Sequence, residues 1–154
     1  MKRLDFENGD SYEGQVEDCI IRNKRANCMQ GIGVYYIQDT YHYEGSFNNN
    51  KPHGYGLFSS ENGQSYEGNF IEGNIEGKGV MIYSNGRKYK GYFKNNNKSG
   101  YGVMIYPEGE IYGEGSRYEG YWKRNKRNGK GVMIYLDDGR RLEGLFKENV
   151  YVKE

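Results

Sequence analysis

The sequence predicts an all-β fold, an elongated single-layer antiparallel meander of about five to six β-hairpin repeats shaped like a gutter or a rod. The composition carries part of this prediction, because Gly and Tyr account for 24 and 17 of the 154 residues while only 35% are hydrophobic. The apolar material is therefore mostly aromatic, which suits a thin sheet better than a thick aliphatic core. The second observation is that short glycine-containing elements recur at a fixed interval, as in repeat architectures.

Two sequence elements alternate along the chain. One reads Tyr-Glu/Lys-Gly-x-aromatic, and its strong and weak copies begin at Tyr12, Tyr43, Tyr66, Tyr89, Tyr118 and Leu142. The other reads Gly-x-Gly-aliphatic, and its copies begin at Gly31, Gly54, Gly77, Gly100 and Gly129. Copies in the middle of the chain are 23 residues apart. We therefore interpret residues 1–154 as a single repeat array.

Each period contains two strand-like runs, because aromatic residues two and four places apart fall on one face of a strand. The runs are too short for helices, and their internal glycines disfavour helix further. The dipeptides Asn62-Gly63, Asn85-Gly86 and Asp138-Gly139 predict two-residue type I′ hairpin turns. The other connection is expected to be a polar loop of six residues, as at Asn48–His53. The result is a meander of about eleven strands.

The glycine of Tyr-x-Gly lies between two aromatic residues of one face, so it leaves a trough that a ring from the adjacent strand can cover. Two insertions interrupt the period, near 17–27 and 109–115, and we expect both to be loops. The first lies between Val16 and Gly31, a stretch that also contains Cys19 and Cys28. Neither has a CxxC partner, so we interpret them as reduced thiols, with a disulfide between them as the open alternative.

From about Phe6 to Phe146 the alternating elements resemble MORN (membrane occupation and recognition nexus) repeats, as in residues 66–70 and 100–103. The copies depart from the pattern at Val16, Thr40 and Leu142. The resemblance implies a rod-like or gutter-shaped β array that serves as a protein–protein scaffold, often in cilia or other cytoskeletal assemblies of eukaryotes. It also implies an association with phospholipids.

Nothing in the sequence points to catalysis, so we predict that the protein is not an enzyme. His42 and His53 are isolated, and the recurring Glu of Tyr-Glu-Gly is expected to point away from the aromatic face as a solvated column. None of the Gly-x-Gly elements opens a helix, which phosphate capture by such a motif requires. We predict no cofactor and no metal. A net charge of +1 argues against nucleic acid as a partner.

Two surfaces are candidates for binding. A partner-binding groove is predicted along the recurring rings of Tyr43, Phe47, Tyr66, Phe70, Tyr89, Phe93, Tyr118 and Trp122. The alternative is that these rings pack on one another as the core. A contact with an anionic surface is predicted for the basic run Lys123, Arg124, Lys126, Arg127 and Lys130. A solvated turn is the alternative for that run.

The leading hypothesis is a non-enzymatic scaffold or adaptor that binds protein partners in a ciliary, axonemal or other cytoskeletal assembly. The alternatives are a peripheral membrane module that binds anionic phospholipids through the basic run, and an accessory subunit of an enzyme complex. Because the N-terminal segment has no apolar targeting region, we expect a cytoplasmic, cytoskeleton-associated protein. Open edge strands make self-association a further expectation.

Overall fold

The computed structural model describes residues 1–38, 40–107 and 115–153, and all regular structure in this part of the chain is β. The all-β prediction is therefore confirmed. The described residues form thirteen strands rather than about eleven. They are β1 (Lys2–Asp5), β2 (Ser11–Ile21), β3 (Lys24–Ile37), β4 (Tyr41–Asn48), β5 (Lys51–Ser60), β6 (Ser65–Ile71), β7 (Asn74–Ile82), β8 (Lys88–Lys94), β9 (Asn97–Ile105), β10 (Arg117–Lys123), β11 (Lys126–Ile134), β12 (Arg141–Lys147) and β13 (Val150–Val152).

The strands fall into two compact units, the first covering Met1–Asn74 and the second Ile75–Glu154. In the first unit, β1 to β6 pair antiparallel in chain order. In the second unit, β7 to β13 do the same. Each unit is thus an antiparallel meander, as predicted.

The register places the glycines of successive strands opposite one another. In the first unit this row is Gly14, Gly33, Gly45, Gly56 and Gly68. In the second unit it is Gly79, Gly91, Gly102, Gly120, Gly131 and Gly144. A continuous row without side chains leaves the troughs that the sequence predicted.

A tyrosine ring fills each trough. A Cβ added to Gly102 would lie 2.4 Å from Cζ of Tyr89, and one added to Gly131 would lie 2.6 Å from Cζ of Tyr118. The same Tyr118 ring also lies over Gly120 of its own strand, with Oη 2.7 Å from the added Cβ. The covering ring therefore belongs to the adjacent strand for Gly102 and Gly131, as expected, and to the same strand for Gly120.

The tight turns occur at the opposite connection from the one predicted. Residues that were expected to form six-residue loops form two-residue turns with both φ values positive, as at Asn49 (46°) and Asn50 (69°). By contrast, in the Asn62-Gly63 connection only Gly63 has a positive φ, 86°. That turn is wider, since Gly63 N–H donates to Ser60 O (3.1 Å). The type I′ prediction for the Asn-Gly dipeptides is therefore wrong.

Asparagine explains the two-residue turns because it tolerates the left-handed conformation. It also ties each turn to the preceding hairpin. The Oδ1 atom of Asn125 accepts a hydrogen bond from Lys98 N–H (2.8 Å), and Asn125 N–H donates to Lys98 O (3.2 Å). Asn50 makes the same pair of bonds with Met29, at 2.8 and 3.0 Å. These bonds lock consecutive hairpins together beyond the strand ladder.

The first insertion is a hairpin extension rather than a loop. β2 and β3 continue their pairing through Ile21 and Lys24 around a turn at Arg22 and Asn23. This extension places Cys19 and Cys28 on neighbouring strands, and a disulfide joins them with their Cα atoms 5.8 Å apart. The interpretation as reduced thiols is thus wrong. Most of the second insertion, near 109–115, lies outside the described residues.

Candidate functional site

The eight residues predicted to line a partner-binding groove are core residues in the structure. None of them exposes more than 6% of its surface. Their rings pack edge to face within each unit, as for Tyr43 and Phe70 (4.9 Å between centroids) and for Tyr118 and Trp122 (5.2 Å). Such pairs stabilise the fold beyond the burial of their area. Because no ring face is open to solvent, we do not assign partner contact to these eight residues.

The tyrosine hydroxyls of this core are also occupied by structural hydrogen bonds. Tyr43 donates to Ser46 O (2.9 Å), Tyr89 to Tyr92 O (2.9 Å) and Tyr118 to Tyr121 O (3.1 Å). Burial raises the pKa of Tyr43 and of Tyr118 to about 12. These phenols are therefore held protonated as hydrogen-bond donors within the core.

The open surface is the opposite face of the sheet, and its aromatic residues were missed by sequence reasoning. In the second unit Tyr92, Tyr101 and Tyr121 are 43%, 46% and 49% exposed. Tyr101 and Tyr121 lie in an edge-to-face pair with centroids 5.7 Å apart. The signal was present, because these residues occupy the x positions of the repeated elements and alternate with buried ones. We call these three residues the outer tyrosine cluster.

A shallow concavity of about 400 Å³ adjoins the outer tyrosine cluster. Tyr101, Tyr121 and Val132 give it an apolar side, and Glu119, Lys130 and Glu143 contribute charge. Glu119 also pairs with Arg117 at 2.6 Å. The glutamates lie on the face away from the buried rings, as expected for the solvated column.

The basic run is dispersed by the fold. Lys123, Arg124 and Lys126 are exposed around the β10–β11 turn, and Lys126 is paired with Glu148. Arg127, by contrast, is only 5% exposed and lies over the rings of Tyr118 and Phe146. Lys130 lies on the outer face beside the concavity. Strand alternation separates Arg127 from its neighbours, so the run is not one surface.

The two histidines lie on different strands of the first unit, His42 on β4 and His53 on β5. His42 Nε2 lies 2.9 Å from Ser59 Oγ, and His53 Nδ1 lies 3.6 Å from a carboxylate oxygen of Glu72. Within the described residues no three His, Cys, Asp or Glu side chains are grouped so that they could hold a metal ion. None of the described segments is a helix with the length and apolar character needed to cross a membrane.

Comparison with known proteins identifies the repeats. A family model described as the MORN repeat matches residues 43–65, 66–86, 89–111 and 118–140, more than half of the chain. Each match begins at a tyrosine of the first repeated element: Tyr43, Tyr66, Tyr89 or Tyr118. The comparison with curated proteins found no match.

Proposed function

Because the chain belongs to the MORN-repeat family, we propose that it is a non-enzymatic scaffold that binds a protein partner on its outer face. MORN repeats indicate a repeat scaffold or a membrane- or protein-binding module. The observation that carries the choice of a protein partner is the outer tyrosine cluster, Tyr92, Tyr101 and Tyr121, each nearly half exposed.

Tyrosines suit this role because they are rigid, amphipathic and enriched at protein interfaces. The two-residue turns and the strand ladder hold their backbone in place, so little order must be gained on binding. Lys130, Glu119 and Glu143 surround the concavity with charge, which gives a polar rim around the aromatic centre. An extended segment or a helix of a partner would bury the rings and pair with that rim.

We further propose that the partner belongs to a ciliary, axonemal or other cytoskeletal assembly in the cytoplasm. The support for this location is the family itself, since MORN arrays are associated with such assemblies. Docking as an accessory subunit of an enzyme complex would use the same outer face. One capture experiment tests both roles, because the identity of the captured protein distinguishes a cytoskeletal scaffold from an accessory subunit of an enzyme complex.

The test is capture of partners from the native cells, identified by mass spectrometry, with wild-type protein and a Tyr101→Ser/Tyr121→Ser variant. We expect the variant to lose the specific partner by about tenfold or more, as for interface hot spots. A Tyr36→Ser variant is the matched control, since Tyr36 is also exposed (38%) but lies in the first unit. Equal capture of the partner by the wild type and the double variant would contradict the proposal.

A second candidate function is peripheral binding to an anionic membrane through the β10–β11 turn. The observation that favours it is the exposure of Lys123, Arg124 and Lys126, with Lys94 and Lys147 exposed at the ends of the β8 and β12 strands. Basic residues near an anionic surface contribute about 1 kcal/mol each. Arg127 does not join them, because it is buried against rings.

Co-sedimentation with vesicles of anionic lipid tests this second candidate. A Lys123→Gln/Arg124→Gln/Lys126→Gln variant should lose binding, and added salt should weaken the wild type. Lys130→Gln is the matched control, because Lys130 lies on the outer face. Unchanged sedimentation of the triple variant would exclude the turn as the membrane contact.

A further inference from the structure

An acidic row crosses the outer face of the first unit. It contains Glu13 on β2, Glu44 on β4 and Glu67 on β6, and all three side chains are exposed. The register places Val34 of β3 between the first two and Leu57 of β5 between the last two. A carboxylate therefore occurs on every second strand, with an aliphatic side chain on the strand between. We call these five residues the acidic row.

A basic row with the same alternation crosses the outer face of the second unit. It contains Lys88 on β8, Arg117 on β10 and Arg141 on β12, and all three side chains are exposed. The register places Ile105 of β9 between the first two and Ile134 of β11 between the last two. A cation therefore occurs on every second strand, again with an aliphatic side chain between. We call these five residues the basic row.

The acidic row and the basic row also share one spacing. Neighbouring strands of a sheet lie about 4.8 Å apart, so charges on every second strand repeat at about 10 Å in both rows. Two sheets can stack about 10 Å apart with their strands nearly aligned. Glu together with Lys or Arg is long enough to span that distance. Stacked in register, the rows would bring each carboxylate to a cation and the aliphatic side chains to one another.

The charges of these rows are available for such a contact. Some of them take part in exposed ion pairs within their own unit, namely Arg3–Glu13, Arg117–Glu119 and Arg141–Glu143. Exposed pairs of this kind contribute little stability, so they can be exchanged for pairs across an interface. Glu44 and Lys88 have no ion pair with any residue that the structure describes. Each row therefore keeps charge of its own sign at the surface.

We propose that the acidic row of one copy of the chain binds the basic row of a second copy, so that the protein self-associates through its outer faces. A second copy is the partner that fits, because it carries the complementary row with the same alternation and spacing. Complementary charges set the register of the contact, and the aliphatic side chains between them are removed from water.

This contact is distinct from the proposed partner site at the outer tyrosine cluster. In β10, Arg117 of the basic row precedes Gly120 and Tyr121 of the cluster follows it. The basic row and the cluster therefore lie on opposite sides of the glycine row. Self-association thus goes beyond the proposed binding of a protein partner, and purified protein alone is enough to test it.

Sedimentation velocity of the purified full-length protein measures the association. We expect the average mass to rise with protein concentration at low salt. Added salt should weaken the association, because it screens exposed charge pairs. A protein that stays monomeric at low salt up to the highest soluble concentration overturns the proposal. An association that does not respond to salt overturns it as well.

Exchange of charge tests the assignment to the two rows. Glu44→Lys/Glu67→Lys should weaken self-association by about tenfold or more, because like charges then face each other. Lys88→Glu/Arg117→Glu should have the same effect from the second unit. An equimolar mixture of the two variants should associate nearly as well as wild type, because the unaltered acidic row of one meets the unaltered basic row of the other. A mixture that stays monomeric contradicts the pairing of these rows.

Glu7→Lys/Glu61→Lys is the matched control, because it makes the same change of net charge at exposed residues outside the strands. It should associate within about twofold of wild type. Equal association by wild type and Glu44→Lys/Glu67→Lys, or an equal loss in the control, overturns the proposal. The single variants Glu44→Gln and Lys88→Gln give the same readout if a double variant does not fold. All of these variants retain Tyr101 and Tyr121, so a negative result leaves the proposed partner site standing.

Discussion

Each unit has a core of the same kind of packed aromatic rings, but the residues that cover these rings differ between the units. The position two residues before each Gly-x-Gly holds Met29 and Pro52 in the first unit, and Ile75, Lys98 and Arg127 in the second. The register puts Pro52 opposite Phe47, Lys98 opposite Phe93 and Arg127 opposite Trp122. This position is therefore apolar in both copies of the first unit, whereas two of the three copies in the second unit carry a cation there.

The rings therefore require a covering side chain but not one of a particular charge. Long basic side chains have an apolar stem that packs on rings while the charged group interacts with the ring face. A second position shows the same divergence. Two residues before the repeated tyrosine, Asp10 accepts the Tyr35 hydroxyl (2.8 Å) in the first unit, whereas Arg87 lies over Tyr106 in the second. Repeat architecture thus preserves packing while charge differs from one repeat to another.

The largest expected effect falls on what the units share. Gly102→Ala in the second unit and Gly56→Ala in the first should each lower the free energy of unfolding by about 3 kcal/mol, because the new methyl group would overlap a packed tyrosine ring. The added Cβ would lie 2.4 Å from Cζ of Tyr89 or of Tyr43. Urea denaturation followed by circular dichroism measures both losses.

Gly63→Ala is the control for these substitutions, because a Cβ there meets nothing within 4 Å. It should cost about 1 kcal/mol, from the positive φ alone. A loss at Gly102 no greater than at Gly63 would contradict the role of the tyrosine-filled troughs.

Exchanging the covering residues should change the free energy of unfolding in opposite directions, with a loss for the first unit and a gain for the second. Met29→Lys is expected to destabilise by about 2 kcal/mol, because Met29 is only 7% exposed and its surroundings hold no prepared site for an ammonium. Lys98→Met should raise the free energy of unfolding by about 1 kcal/mol, since it removes a partly buried charge. Met29→Leu, which keeps an apolar cover, serves as control in the same urea experiment. If Met29→Lys and Lys98→Met lower the free energy of unfolding by the same amount, each covering residue is specific to its own unit.

The asparagine turns should matter equally in both units. Asn125→Ala and Asn50→Ala are each expected to cost about 1.5 kcal/mol, because alanine disfavours the left-handed backbone and loses the bond to the preceding hairpin. Asn125→Gly separates the two contributions, since glycine accepts a φ of 68° but cannot make the side-chain bond. Thermal unfolding compares the three variants. If Asn125→Gly loses as much stability as Asn125→Ala, the whole loss is due to the hydrogen bond.

The smallest expected effect is a pH dependence of the free energy of unfolding, which arises from Lys98 in the second unit. The folded pKa of Lys98, about 8, lies below its ordinary value of 10.5 because burial disfavours the ammonium. Between these two values the unfolded state binds more protons, so the free energy of unfolding rises with pH. We expect a gain below about 1 kcal/mol, since Lys98 remains partly solvated.

Unfolding at pH 8 and at pH 9.5, followed by Trp122 fluorescence, measures this gain. The range stops below the ordinary tyrosine pKa of 10, because burial raises the folded pKa of Tyr118 and the stability falls above that pH. Lys98→Met should show no gain. The same slope in this variant would assign the effect to another group.

Sequence reasoning found the repeat because it depends on local spacing. The tyrosine and glycine of each Tyr-x-Gly, such as Tyr118 and Gly120, share one strand face by alternation alone. The turns were assigned wrongly because Asn-Gly is the stronger general signal for a two-residue turn. The two-residue turns occur instead at the pairs Asn95-Asn96 and Arg124-Asn125. The second asparagine of each pair forms hydrogen bonds with the preceding hairpin, and these bonds join residues more than twenty positions apart.

The sequence by itself therefore determined the all-β class, the repeat and the family, because these follow from short-range periodicity in one chain. Only the tertiary structure decided which aromatic rings are core and which are surface. The same alternation is compatible with either face being buried, and the packing within each unit determines which face that is. It also brought Arg87, Lys98 and Arg127 to one cavity, because strand register joins residues that the sequence separates.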